Sequence, residues 1–166
     1  IEHAEGEGVV RLSGNADEVT AFMTEFKALD DLSTQDANVV VSALKKYLRS
    51  LNPTLLDIEK VRVMGSVIDD LCTNCPTKED IYNLVSDDDY NGTWRKLLFT
   101  FKTIEENQLT SKMDAANIAI SINQSLFTIE ITATNPAEAA KQANNAPEIG
   151  HFKKILQCYF NNPVDT

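Results

Sequence analysis

The sequence holds few residues equipped to do chemistry, and three of them are cysteines. Cys72 and Cys75 form a Cys-x-x-Cys pair, and Cys158 stands far downstream. An odd number of cysteines offers no disulfide framework in a chain of 166 residues. A redox pair would open a helix after a strand, yet no β-rich run precedes Cys72. Half of a zinc site would need two more ligands, and His151 with Cys158 lies at no usual spacing. The reading favoured here is two ordinary thiols at a helix end before Pro76, with no metal site. Asp87, Asp89, Asn91 and Gly92 fill positions one, three, five and six of a calcium loop. Position twelve, which must bring a bidentate carboxylate, is Leu98, so a solvated turn is expected instead.

Hydrolytic chemistry lacks parts. His3 and His151 are the only histidines, too few for a Ser or Cys triad or a histidine-rich metal site. No Gly-rich phosphate loop is followed by Lys-Ser or Lys-Thr. Positive charge is distributed more unusually. Lys45, Lys46 and Arg49 are expected to crowd the outer side of one helix, with like charges at Lys45 and Arg49 four residues apart. Arg11 lies in the apolar-flanked segment Gly8-Val-Val-Arg-Leu-Ser-Gly14. A solvated basic face and an arginine satisfying loop carbonyls are the plain alternatives to a binding role.

The elements that must position these residues are helical almost throughout. Val19, Phe22, Met23, Phe26 and Leu29 recur at three- and four-residue steps behind an Asn15 cap, with Glu18 in capping-box position. A second stripe runs from Val39 to Leu51, capped by Ser33 or Thr34 and stopped near Asn52-Pro53. Ile58, Val61, Gly65, Ile68 and Cys72 predict a third helix, closed by Asn74 to Pro76. Thr77-Lys-Glu-Asp80 caps a short fourth. Trp94 to Ile104, Asp114 to Ile122, a helix opening at Asn135-Pro136, and Ile149 to Phe160 complete the set. Only Phe127 to Thr132 alternates like a strand, and it is too isolated to build a sheet. The expected fold is all-α, one domain over residues 1–166 with seven or eight helices.

Composition agrees with an ordinary globular chain: 43% hydrophobic and 24% charged residues. Its formal net charge of −10 speaks against general nucleic-acid binding, which needs a basic surface to displace phosphate counterions. No apolar run approaches the roughly 18 to 20 residues of a membrane span. Ile1 to Gly8 is acidic and lacks the apolar core of a signal peptide. A soluble, cytoplasmic, monomeric protein is expected.

Three segments together carry a family pattern. Gly8-Val-Val-Arg11-Leu-Ser-Gly14 resembles the arginine-finger loop of Rho-type GTPase-activating (RhoGAP) domains. Asp36-x-x-Val39 through Ala-Leu-Lys45-Lys-Tyr-Leu-Arg49-x-Leu resembles the family's next helix, and Lys112-Met113-x-x-x-Asn117-Ile-Ala its later one. The three occur in family order across roughly Glu5 to Phe127. The chain departs from the family at Leu51-Asn-Pro-Thr-Leu-Leu56 and Ile122-Asn-Gln-Ser-Leu126, and the helix that precedes the finger loop is expected to be largely absent.

The resemblance implies a RhoGAP-like helical bundle that binds a GTP-loaded Rho/Rac-type small GTPase. Arg11 would be the catalytic finger, supplied in trans by a protein that is not itself an enzyme. Lys45 would contact the GTPase switch region, Arg49 would brace the finger loop, and Asn117 would hydrogen-bond near the same surface. No cofactor is implied for this chain, since GTP and Mg²⁺ belong to the partner. No direct membrane insertion is implied, only recruitment with the GTPase or through regions outside this chain. The alternative is a catalytically silent module of the same fold that docks on a GTPase or another signalling protein.

Overall fold

Short polar side chains set most of the helix starts in the computed structural model, which describes residues 6–25 and 35–162. Helix α1 (Ala16–Glu25) begins where Asn15 Oδ1 accepts from Asp17 N at 2.9 Å and Glu18 N at 3.2 Å. Helix α2 (Ala37–Arg49) is capped by Asp36, whose carboxylate accepts from Asn38 N and Val39 N. Asp36 thus replaces the expected Ser33 or Thr34; those two residues, with His3, Phe26 and Leu29, lie outside the described residues. Asp57 caps α3 (Ile58–Val67) in the same way. Thr77 and Asp80 form a reciprocal capping box on α4 (Lys78–Tyr82).

A 3-10 turn at Asp88–Tyr90, capped by Asp87, leads into α5 (Asn91–Glu106). Asn91, a would-be calcium ligand, instead donates to the Tyr82 carbonyl and accepts from Arg95. The expected solvated turn is what forms. The single turn α6 (Gln108–Ser111) follows, then α7 (Ala115–Leu126), α8 (Pro136–Asn144) and α9 (Pro147–Asn161). Among the described residues, eight helices of five residues or more match the expected set, and α6 is the addition. No strand forms there; Leu56 and Val85 make one isolated bridge.

The end of the third helix also differs from the expected one. Helix α3 stops at Val67, and Ile68 is extended and buried, so Cys72 is not helical. The Asp69 carboxylate takes the Thr73 N–H at 2.8 Å and also the Thr73 hydroxyl. That local turn offers the backbone an alternative to another helical turn.

Helix α9 lies at the centre, packed against α3, α4, α5 and α7, while α2 lies on α7. Phe152 meets Phe127 edge-on at 5.6 Å and Trp94 at 6.3 Å between ring centroids. The Trp94 indole N–H donates to the Ile81 carbonyl at 2.8 Å, so its one polar atom is satisfied within the core. Helices α3 and α9 are joined by Arg62 Nε and Glu148 Oε1, 2.8 Å apart. Helix α1 is held more lightly. Among its described residues, Val19 and Phe22 bury against Val39 and Ala43 of α2, at about 1.5–3 kcal/mol per fully buried side chain. Met23 on α1 and Tyr47 on α2, both on the expected apolar stripes, stand exposed.

Candidate functional site

The segment between Gly6 and Gly14 is a tight loop whose shape two glycines permit. Gly8 has φ +69°, and a side chain there would also meet Leu12 Cγ at 2.9 Å. Gly14 crosses the start of α2 so closely that a Cβ would lie 2.7 Å from the Val39 Cα. Arg11 N and Leu12 N both donate to the Gly8 carbonyl, at 2.8 and 2.9 Å. Val10 adopts φ +75°, an outlier for a β-branched residue. Val9 and Val10 are each only 2% exposed and belong to the main core. Burial of these two valines drives the loop inward and leaves Arg11 and Leu12 outside, both exposed.

Three hydrogen bonds pin this loop to the rest of the fold. Gly8 N donates to the Ser111 carbonyl at 2.7 Å, at the end of α6. Gly14 N donates to Ser42 Oγ at 2.9 Å, on α2. Between them, Lys45 Nζ donates to the Val10 carbonyl, beside Arg11. Lys45 is therefore half-buried under the loop rather than on an outer solvated face. Burial and the neighbouring Arg49 charge hold its ammonium below the usual lysine range.

The expected support roles are redistributed. Lys45, not Arg49, is the side chain that reaches the loop. Arg49 is exposed one turn further along α2, and among the described residues it makes no hydrogen bond or ion pair to the loop. Asn117 lies in the first turn of α7 and is half-buried. Its Nδ2 donates to the Lys112 carbonyl at 3.3 Å, while Asp114 caps its N–H at 2.8 Å. Lys112 has φ +57°, so Asn117 ties down the left-handed corner next to the Ser111 carbonyl that holds Gly8. Arg11 and Asn117 thus sit at opposite ends of one chain of contacts.

Two serines of this arrangement escaped sequence reasoning. Ser111 is fully buried; its hydroxyl donates to the Ile104 carbonyl at 3.1 Å and accepts from Met113 N at 3.2 Å. Ser42 receives the Gly14 N–H. Neither sits in a pattern distinguishing it from any other helical serine, and only the loop's position reveals them. Chemically, the site offers an exposed guanidinium on a braced loop, with two further cations close by. It has no nucleophile and no acid–base pair among the described residues, so it suits stabilising negative charge on something brought to it.

Comparison with known proteins agrees with the sequence motifs. The RhoGAP domain family matches residues 2–130, most of the chain. The structure resembles the BH domain from GRAF, the GTPase regulator associated with focal adhesion kinase, with a TM-score of 0.64 and 18% identity over 96% of this chain and 86% of that one. It also resembles human Rho GTPase activating protein 15, with a TM-score of 0.67 and 20% identity over 95% of this chain and 73% of that one. At such identities these likenesses speak for the shared all-α fold. No curated protein matches the chain by sequence.

Proposed function

Because the chain belongs to the RhoGAP domain family, we propose that it binds a GTP-loaded Rho/Rac-type small GTPase and accelerates GTP hydrolysis with Arg11 as an arginine finger. The observation that carries this reading is the loop itself, which exposes Arg11 while its flanking valines are buried and its backbone is fixed at Gly8, Val10 and Gly14. GTP hydrolysis passes through a loose transition state with charge spread over the phosphoryl oxygens. A guanidinium from a partner adds fixed planar donors at that charge and contributes about 10³ to 10⁵ in rate. A braced backbone keeps the orienting cost low when the arginine enters.

Lys45 acts in this reading as the prop beneath the finger, and Arg49 as the cation that meets the GTPase switch surface. Asn117 holds the Lys112 corner and, through it, the Gly8 end of the loop. The domain uses no cofactor of its own for the reaction; GTP and Mg²⁺ are the partner's. Residues 1–166 act as one monomeric domain in the cytoplasm, reaching membranes with the GTPase or through regions outside this chain.

The test is single-turnover GTP hydrolysis by a panel of Rho-family and Ras-family GTPases, with and without the domain. Stimulation confined to one or more Rho-family members is expected. Binding to a GTP-loaded GTPase with no stimulation of any would make the chain a silent docking module instead.

A further inference from the structure

The Cys72–Cys75 pair and the distant Cys158 converge. The Sγ atoms of Cys72, Cys75 and Cys158 lie within 4.8 Å of one another, although Cys158 is on the buried face of α9 and the other two are in the connection between α3 and α4. We propose that Cys72, Cys75 and Cys158 form a three-thiolate site for a zinc-class thiophilic cation that fastens the connection after α3 to α9.

The spacing suits that chemistry. Zinc–sulfur bonds of about 2.3 Å at tetrahedral angles place sulfurs about 3.8 Å apart, so no pair need close by more than about 1 Å. A disulfide needs about 2.05 Å, and it would use only two of the three sulfurs. Soft thiolates select zinc-class ions over magnesium or calcium. Uptake replaces three S–H bonds with three metal–sulfur bonds and releases three protons to solvent, with no oxidant or reductant involved.

The surroundings prepare the site. Cys72 has φ +52°, and the Cys75 thiol donates to the Cys72 carbonyl 2.9 Å away, a hydrogen bond that metal uptake exchanges for a metal–sulfur bond. Lys154, one turn before Cys158, pairs with Asp70 at 3.0 Å and so anchors the same connection to α9. Within the connection Ile68 is buried, whereas Leu71 is 83% exposed.

Among the described residues no histidine or carboxylate joins the three sulfurs at this spacing. His151, the ligand suggested by sequence, packs instead against Gly65 of α3. The fourth position therefore falls to water or a small ligand entering from the cleft of about 390 Å³ that Cys72 lines with Gln157, Asp70 and Lys153. This site is separate from the finger loop and does not depend on the proposed GTPase activity.

The full chain, kept reduced and oxygen-free, tests the assignment with zinc and cobalt(II) as probes. One equivalent of cobalt should give thiolate-to-metal charge-transfer absorption and strong tetrahedral ligand-field bands, displaced by zinc. Zinc should raise the melting temperature, and its affinity should climb with pH as thiol protons are released. Cys72→Ser and Cys75→Ser, both at half-buried positions, should fold with unchanged circular dichroism and lose the charge-transfer band. Their zinc affinity should fall by more than the 10- to 100-fold typical of removing an outer-shell partner. Absence of stoichiometric uptake by the wild-type chain overturns the site, as does cobalt binding that survives Cys75→Ser.

Discussion

Lys45 illustrates how one side chain can serve stability and function with opposite electrostatic consequences. Its ammonium holds the Val10 carbonyl beneath Arg11, yet burial and Arg49 disfavour the charge. Between the depressed folded-state pKa and 10.5, the unfolded chain binds more protons than the folded one, so stability rises with pH across that window. Lys45→Met should abolish this rise, as read by urea melts at about pH 8 and about pH 10. At neutral pH it should cost about 1 kcal/mol, the usual net value of a hydrogen bond, and lower stimulated GTP hydrolysis more than GTPase binding. Arg49 should behave differently. Exposed and free of hydrogen bonds to the loop, it should tolerate Arg49→Ala within about 0.5 kcal/mol of wild-type stability while GTPase affinity falls. Loss of stability instead, measured by thermal melting, would return Arg49 to a bracing role.

At the scale of elements, the α3–α9 contact governs the frame. Gly65 lies so close to α9 that an added Cβ would be 2.1 Å from His151 Cβ and 2.7 Å from its Cα. Gly65→Ala should therefore force the helices apart and cost about 1–3 kcal/mol or more, by the usual scale of overpacking. His151→Gly in the same chain should recover part of that loss, giving a non-additive double-mutant cycle by chemical denaturation. Additive losses would mean that the clash lies elsewhere. Elements of this kind were legible in sequence where local signals decide them. Asn15, the Thr77–Asp80 box and Asn135-Pro136 all start helices through atoms within a few residues of each other. The end of α3 was not legible, because the Asp69–Thr73 turn and a continuing helix compete within the same apolar pattern. Of the candidate site, the motifs gave positions for Arg11, Lys45, Arg49 and Asn117 by resemblance alone. The contacts from Ser42, Ser111 and Lys45 to the loop, and the convergence of three cysteines, join residues distant in sequence, and no spacing rule encodes them.

Across the whole molecule, a chain of formal net charge −10 keeps Arg11, Lys45, Lys46 and Arg49 within two neighbouring segments. In the proposed reading the exposed members, Arg11, Lys46 and Arg49, meet an acidic partner surface and make docking sensitive to salt, which screens exposed charges beyond about 10 Å. In the same proposed reading, chemistry rests on Arg11. A group that acts only on the transition state can be removed with little loss of ground-state affinity. The most direct measurement is therefore single-turnover GTP hydrolysis by the responsive Rho-family GTPase with wild-type and Arg11→Ala domain, alongside their affinities for the GTP-loaded form. Near-equal affinities with a stimulated rate lower by about 10³-fold or more, equivalent to about 4 kcal/mol of barrier, are predicted for Arg11→Ala. Arg11→Lys should recover little, since an ammonium lacks the planar fork. Stimulation by Arg11→Ala equal to that by the wild-type domain would contradict the account.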